Sequence, residues 1–245
     1  MTTLAVAQSE WIKMRSLRST VGSLVAVFLA TVGFSALVCA LVKKSEVESP
    51  DFDPLELSFY GLTFGQVAAI SFGTLVVSQE FHVGALRVSL SAVPRRGVFY
   101  ASKMAMTGAV ALAVGLLSGF TTLLLGQVLI GDAGIGVSDT GALRAVVGSA
   151  AYLALMALFA AGLTALLRSG VAVLSLLIPL LLIVPFIFTD FASGTMSYLP
   201  NRAGQLLIRQ YPDGPIGPWA GLGVTALWTC AALLAGWYAV NRRDA

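Results

Sequence analysis

Residues that could carry out chemistry are few in this chain, and most of them lie in one polar stretch, residues 79–103. His82 is the only histidine, which excludes bis-histidine haem ligation and histidine-based zinc clusters. Glu80, His82 and Asp190 are the only groups suited to acid–base catalysis, and the topology derived below places Asp190 across a membrane from the other two. The sequence has no GxSxG nucleophile motif and no GxxxxGKS/T phosphate loop. We therefore expect no enzyme, and no cofactor, metal or ATP site on this chain.

The same stretch is strongly basic and lies between two long apolar runs. Four of the fifteen Lys and Arg residues belong to it: Arg87, Arg95, Arg96 and Lys103. Residues 81–93 have a helical pattern with two apolar strips, which favours a short helix held on two sides, by its own protein and by a partner. The alternative is an ordinary cytoplasmic loop whose charges only set the topology. Glu80 is expected to pair with Arg87 or with a residue of the N-terminal helix.

The composition indicates an all-α integral membrane protein. Hydrophobic residues make up 57% of the 245 residues and charged residues only 11%, whereas soluble domains are about 25% charged. The mean hydropathy is +0.87 and the isoelectric point is near 9.0. Because the positive charges cluster beside apolar runs, membrane orientation explains them better than nucleic-acid binding does. The two cysteines, Cys39 and Cys230, lie inside apolar runs and are expected to be small packing residues.

Six uncharged runs predict six transmembrane helices, which form one domain over residues 19–245. The runs are residues 19–42, 57–79, 104–131, 145–167, 169–189 and 214–241. The shortest has 21 residues, and as a helix it would be about 32 Å long, enough for a hydrocarbon core of about 30 Å.

Residues 1–18 predict an amphipathic helix that lies in the membrane interface before the first span. On a helical wheel one side is apolar: Leu4, Ala7, Trp11 and Met14. The other side is polar: Ser9, Glu10, Lys13 and Ser16. Trp11 would anchor this helix, with Lys13, Arg15 and Arg18 at the lipid headgroups. A solvated basic tail is the alternative.

The distribution of Lys and Arg predicts the orientation. Ten of the fifteen fall on the side that holds both termini and residues 79–103, and five fall on the other side. Basic residues accumulate in the cytoplasm, so both termini are expected in the cytoplasm of a bacterial cell, with the chain in its plasma membrane.

Four local features add detail to this layout. The sequence LLRSG, with Arg168 and Gly170, predicts a tight antiparallel helix hairpin. Pro179 and Pro185 lie in the fifth run, where a kinked or locally unwound helix could be a hinge or a packing feature. Residues 190–213 could form a short helix that re-enters the membrane, provided that its backbone is buried in protein, or a plain surface helix. Glycine pairs at four-residue spacing recur, but 25 glycines make such pairs common, so no interface is assigned from them.

Several motifs in this order resemble the actinobacterial type-2 ATP-binding-cassette exporter permeases. SEWIKMRSLRST is similar to the family's entry helix, and QEFHVGALRVSLSAVPRRGVFYASK to its segment after the second span. In the second motif the matching residues are Glu80, Phe81, Gly84, Ala85, Pro94, Arg95, Arg96 and Lys103. The family more often has Thr where this chain has Ala85. LPNRAG, the Pro218–Trp219 start of the last span and the closing RRDA are similar as well, so the resemblance covers nearly the whole chain.

The resemblance implies a dimeric exporter in which this chain pairs with a second copy or a paralogue. Two separate ATPase subunits would bind ATP and magnesium and push on a coupling segment: Glu80, Phe81, Gly84, Arg87, Pro94, Arg95, Arg96 and Lys103. Membrane lipids are the other expected partners. The apolar spans favour a hydrophobic or amphipathic cargo such as a lipid, peptide or antibiotic. The alternative function is a non-transporting membrane anchor, an immunity protein or a sensor.

Overall fold

A computed structural model describes residues 3–42, 49, 52–81, 95–131, 140–187, 198–210 and 217–242 of the chain. Within these ranges all regular structure is helical and there is no strand, which confirms the predicted all-α fold. In chain order the α-helices are α1 (Thr3–Ser16), α2 (Arg18–Leu41), α3 (Pro54–Ser58), α4 (Leu62–Ser78), α5 (Arg96–Ile130), α6 (Thr140–Leu167), α7 (Gly170–Ile187), α8 (Pro200–Gln205) and α9 (Pro218–Arg242). Two 3-10 turns, Gln79–Phe81 and Leu206–Ile208, extend α4 and α8.

In the described part of the chain five helices are long and apolar enough to cross a membrane. They are Arg18–Leu41, Leu62–Phe81, Arg96–Ile130, Gly141–Leu167 and Pro218–Arg242. Gly170–Ile183 in α7 is a shorter apolar helix. The protein is therefore an all-helical integral membrane protein with at least five helices of spanning length, and the predicted sixth span stays a prediction. α5 begins at Arg96, eight residues before the predicted run, because helix formation continues past the charge of Lys103.

The centre of the bundle is α6, which packs against α4, α5 and α9, while α2 packs against α4 and α5. Tyr152, Leu153 and Met156 of α6 are almost completely buried. The helices approach closely where glycine faces backbone. A Cβ atom on Gly73 of α4 would overlap the carbonyl oxygen of Ala157 and lie 2.7 Å from its carbonyl carbon. Small residues at such contacts let helices pack closely in a membrane.

Two of the glycine pairs from which no interface was predicted do form helix contacts within the chain. Gly61 and Gly65 both lie against Thr31 of α2. Gly115 and Gly119 of α5 both lie against α6. Spacing alone could not distinguish these glycines from the exposed ones, since the difference is the neighbouring helix.

The tight turn between α6 and α7 consists of Arg168 and Ser169. Arg168 has a φ of 55°, the left-handed conformation, so the strained position of the turn is an arginine and not the neighbouring glycine. Gly170 serves packing instead, because a Cβ atom there would lie 3.0 Å from the Cβ of Ser78 in α4. The helix α7 continues unbroken past Pro179 to Ile187, so it is not unwound at that proline, and a hinge there stays a prediction.

Residues 198–210 form an arm that is packed inside the bundle and not laid on its surface. Pro200, Asn201, Ala203 and Gly204 are buried. The arm runs antiparallel to α9: Trp228 Nε1 donates to the Tyr198 carbonyl at 3.1 Å, and Thr225 Oγ1 donates to the Pro200 carbonyl at 2.8 Å.

The depth of the arm follows from its partners. Trp228 is ten residues after the start of α9, about 15 Å along that helix. The arm therefore begins near the middle of α9 and returns toward its start. There Arg209 bonds Glu56 at 2.9 Å, and the Gln210 amide donates to Asp53 at 2.7 Å. From residue 199 to residue 210 its residues are buried or half-buried in protein, which is the condition set for a re-entrant segment, and re-entry itself stays a prediction.

Candidate functional site

The predicted coupling segment falls partly inside the described residues. Glu80 and Phe81 lie in the 3-10 turn that ends α4, Arg95 precedes α5, and Arg96 and Lys103 lie in its first turns. The other predicted residues of this segment, Gly84, Arg87 and Pro94, lie outside the described residues, as does His82.

Four charged side chains form a closed ring, here called the ion network: Glu10, Lys13, Glu80 and Lys103. The ammonium of Lys103 bonds Glu10 and lies 2.9 Å from Glu80 Oε1. The ammonium of Lys13 lies 3.0 Å from Glu10 Oε1 and 3.2 Å from Glu80 Oε1. Each carboxylate therefore meets two ammonium groups, and each ammonium group meets two carboxylates. The network joins three elements that are distant in sequence: α1, the end of α4 and the start of α5.

Burial makes the pairing obligatory. Glu10, Glu80 and Lys103 are buried, whereas Lys13 is partly exposed. An unpaired charge in such a place is costly, and a paired one with its hydrogen bonds satisfied is tolerated. The ring of Phe99 lies beneath both cations, with its centroid 5.4 Å from the Lys103 ammonium and 5.8 Å from that of Lys13. With two positive and two negative charges, the network carries no net charge.

The pKa of Lys13, the most exposed member of the ion network, is set by two opposing effects, burial and the neighbouring carboxylates. Burial on its own would lower this pKa, but the charges of Glu10 and Glu80, with hydrogen bonds to both carboxylates, outweigh it and raise the pKa above its usual range. Lys13 is thus held in its charged form.

The sequence predicted the pairing of Glu80 with the N-terminal helix but not the pairing of Glu10 with Lys103. The expectation that Glu80 pairs with a residue of the N-terminal helix is confirmed by Lys13. Glu10 was predicted on the polar side of an interfacial helix with Ser9, Lys13 and Ser16, but it does not share their exposure, because it is only 1% exposed. Its buried face is the strip through Val6, Glu10 and Met14, while Trp11 is exposed. A carboxylate can face the bundle here because Lys103, 93 residues away, supplies its counter-charge.

Both flanks of the segment 82–94 are fixed to the bundle by further contacts. On the α4 side, the Phe81 ring lies 5.8 Å from the Arg168 guanidinium of the α6–α7 turn. On the α5 side, Arg96 Nη1 donates to the Val240 carbonyl of α9 at 3.1 Å. The Tyr100 hydroxyl donates to the Leu233 carbonyl of the same helix at 3.0 Å. The two flanks of this segment therefore contact the α6–α7 turn and α9 as well as their own helices.

The remaining predicted anchor residues lie at the same end of the molecule, here called the α1 end. Trp11, Arg15 and Arg18 are exposed, as a helix that meets lipid headgroups requires. Among the described residues no group of three His, Cys, Asp or Glu side chains could hold a metal ion.

The fold defines the class of the protein as an all-helical integral membrane protein. Compared with known proteins, the chain matches no family model and no curated sequence.

Proposed function

We propose that this chain is the membrane-spanning permease subunit of an ATP-driven exporter in a bacterial plasma membrane, with both termini in the cytoplasm. ATP and magnesium would bind to two ATPase subunits on separate chains. A second copy of this chain or a paralogue would complete the membrane part.

The observation that carries the proposal is the ion network. It locks the end of α4 and the start of α5 to α1, and the segment 82–94, which carries Arg87, connects that end to that start. A force on this segment acts on two long apolar helices at once, since both of its flanks are fixed. A soluble ATPase can move a membrane subunit only through a segment that is fixed to the spanning helices. A loop whose charges only set the topology would not need such fixed flanks.

In this mechanism the closing ATPases push on the segment, and α4 and α5 shift against the partner permease to alternate access to a central path. Arg87, Arg95 and Arg96 would meet acidic residues of the ATPase or lipid phosphates. Inside the six apolar runs the polar side chains are uncharged ones such as Ser, Thr and Gln, which favours a hydrophobic or amphipathic cargo.

Accessibility labelling tests the orientation first. With Cys230 replaced by Ser, the variants Arg95→Cys and Arg209→Cys are treated in intact cells with a membrane-impermeant maleimide. Arg95 belongs to the α1 end, and Arg209 to the opposite end, where it pairs with Glu56. We expect labelling of Arg209→Cys only, and external labelling of Arg95→Cys would overturn the proposal.

Coupling is tested with the partner ATPase copurified in mild detergent and returned to liposomes. Phe81→Ala and Arg95→Ala should insert normally but lose stimulation of ATP hydrolysis and export, while the matched control Arg209→Ala keeps both. Full stimulation and export in both coupling variants would refute coupling through this segment. A preparation in which no nucleotide-hydrolysing subunit copurifies would favour a non-transporting anchor or sensor.

A further inference from the structure

A groove of about 550 Å³ lies between α1, α2 and α5, beside the ion network. This volume falls in the range of about 300–1,000 Å³ that is usual for small-ligand sites. Val21 and Leu24 of α2 form one wall, and Val110 and Val114 of α5 form another. Arg15 of α1 is the one charged side chain among the described residues that line it.

The groove changes from polar to apolar along the bundle. Trp11 and Arg15 line it at the α1 end, where the charges of the ion network also lie. On α5 the lining residues run from Met106 to Val114. This stretch is about 12 Å long and leads away from Lys103. A membrane phospholipid has the same order, with its charged headgroup at the interface and its acyl chains parallel to the spanning helices.

The charges at this end favour an anionic headgroup. The negative charges of Glu10 and Glu80 are neutralised by the two lysines of the ion network, so they do not offset the positive charges of the nearby arginines. Arg15 and Arg18 are exposed, and Arg18 lies one turn before Val21 on α2. Basic residues between membrane helices attract the phosphates of anionic lipids.

We propose that this groove binds one anionic glycerophospholipid, with an acyl chain along Val110 and Val114 and its phosphate at Arg15. The bound lipid contacts α1, α2 and α5 through apolar side chains and Arg15, whereas the ion network joins α1 to α5 and to the end of α4 through buried charges. This site does not depend on the proposed transport function, because it needs only that the α1 end lie at a membrane interface.

Native mass spectrometry of the full-length protein in mild detergent tests the site, with phosphatidylglycerol and phosphatidylcholine as probes. Ala113→Phe fills the groove from α5, and Ala231→Phe makes the same change at an exposed position of α9. We expect wild type and Ala231→Phe to retain one phosphatidylglycerol in preference to phosphatidylcholine, and Ala113→Phe to lose it.

Arg15→Gln is a second variant, which removes the one charge that lines the groove and keeps a long polar side chain in its place. It should lower the preference for phosphatidylglycerol about fivefold, the effect of one basic residue at an anionic surface. Equal retention of the two lipids by wild type would overturn the proposal, and so would undiminished retention in Ala113→Phe. If Ala113→Phe instead changed the monomer-to-dimer ratio and left the lipid adducts intact, the groove would be a contact with a second copy, and the proposal would be wrong.

Discussion

Removing the Lys103 ammonium should destabilise the protein far more than removing an exposed cation. The side chains of Lys103 and Glu10 are only 5% and 2% exposed. Lys103→Met keeps an unbranched apolar stem but leaves Glu10 with the half-exposed Lys13 alone. Breaking a buried ion pair in this way costs about 3–5 kcal/mol. For a chain of this size that corresponds to a fall in Tm of roughly 6–20 °C.

A double-mutant cycle in detergent, read by thermal unfolding, measures how much of this loss comes from the orphaned carboxylate. Glu10→Gln combined with Lys103→Met removes both charges, so the double variant should recover about 1–3 kcal/mol relative to the sum of the single changes. The matched control is the pair Arg209 and Glu56, whose side chains are 43% and 45% exposed. Arg209→Met should cost less than about 1 kcal/mol.

The reasoning fails if Lys103→Met melts within a degree or two of wild type, or if the effects of the two single changes simply add. Either result would mean that water or a rearranged side chain satisfies Glu10 without Lys103.

Two further predictions concern packing and pH. Gly73→Ala should lower the Tm in detergent, because the new Cβ overlaps the Ala157 carbonyl and overpacking costs about 1–3 kcal/mol. The control Gly33→Ala has open space around the new Cβ and should raise stability by about 0.5–1 kcal/mol. Equal melting temperatures of the two variants would contradict the close contact at Gly73. The stabilisation by Lys13 is measured as the Tm difference between wild type and Lys13→Met, and it should hold up to about pH 10 and fall above it. The reason is that the pKa of Lys13 is raised in the folded state. Such a group stabilises the fold below its unfolded pKa, and this stabilisation is lost as the pH rises through its folded pKa. Loss of that difference already at pH 8 would show that its charge does not hold the ring.

The sequence was sufficient for features that depend on local composition. Apolar runs predicted helices of spanning length, and the LLRSG corner predicted the tight turn at Arg168, because hydropathy and turn chemistry act over a few residues. Tertiary pairing was not predictable in the same way. The burial of Glu10 was not predicted, because the lysine that supplies its buried counter-charge, Lys103, follows it by 93 residues.

The start of α5 shows the same limit. The predicted span began at residue 104, because the uncharged run starts directly after Lys103. The helix itself begins earlier, at Arg96. A charge ends a hydropathy window, but it does not end a helix whose counter-charges are supplied by neighbours. The depth of the arm 198–210 was likewise undetermined, since its hydrogen-bond partners, Thr225 and Trp228, belong to a helix that follows it.

The two ends of the bundle differ in how their charges are held, and this difference bears on the proposed function. At the α1 end the ion network is buried and joins α1, α4 and α5 into one unit. At the opposite end the pair of Arg209 and Glu56 is half exposed, and screening by solvent and salt makes such a contact weak. Under the proposed function, a push on the segment 82–94 would act beside buried ion pairs, whereas the contacts at the far end are half exposed and weaker. Movement should then appear mainly as displacement at the far end, where the arm is held to α3 by this pair and by the Asp53 contact, and not as loosening of the ion network.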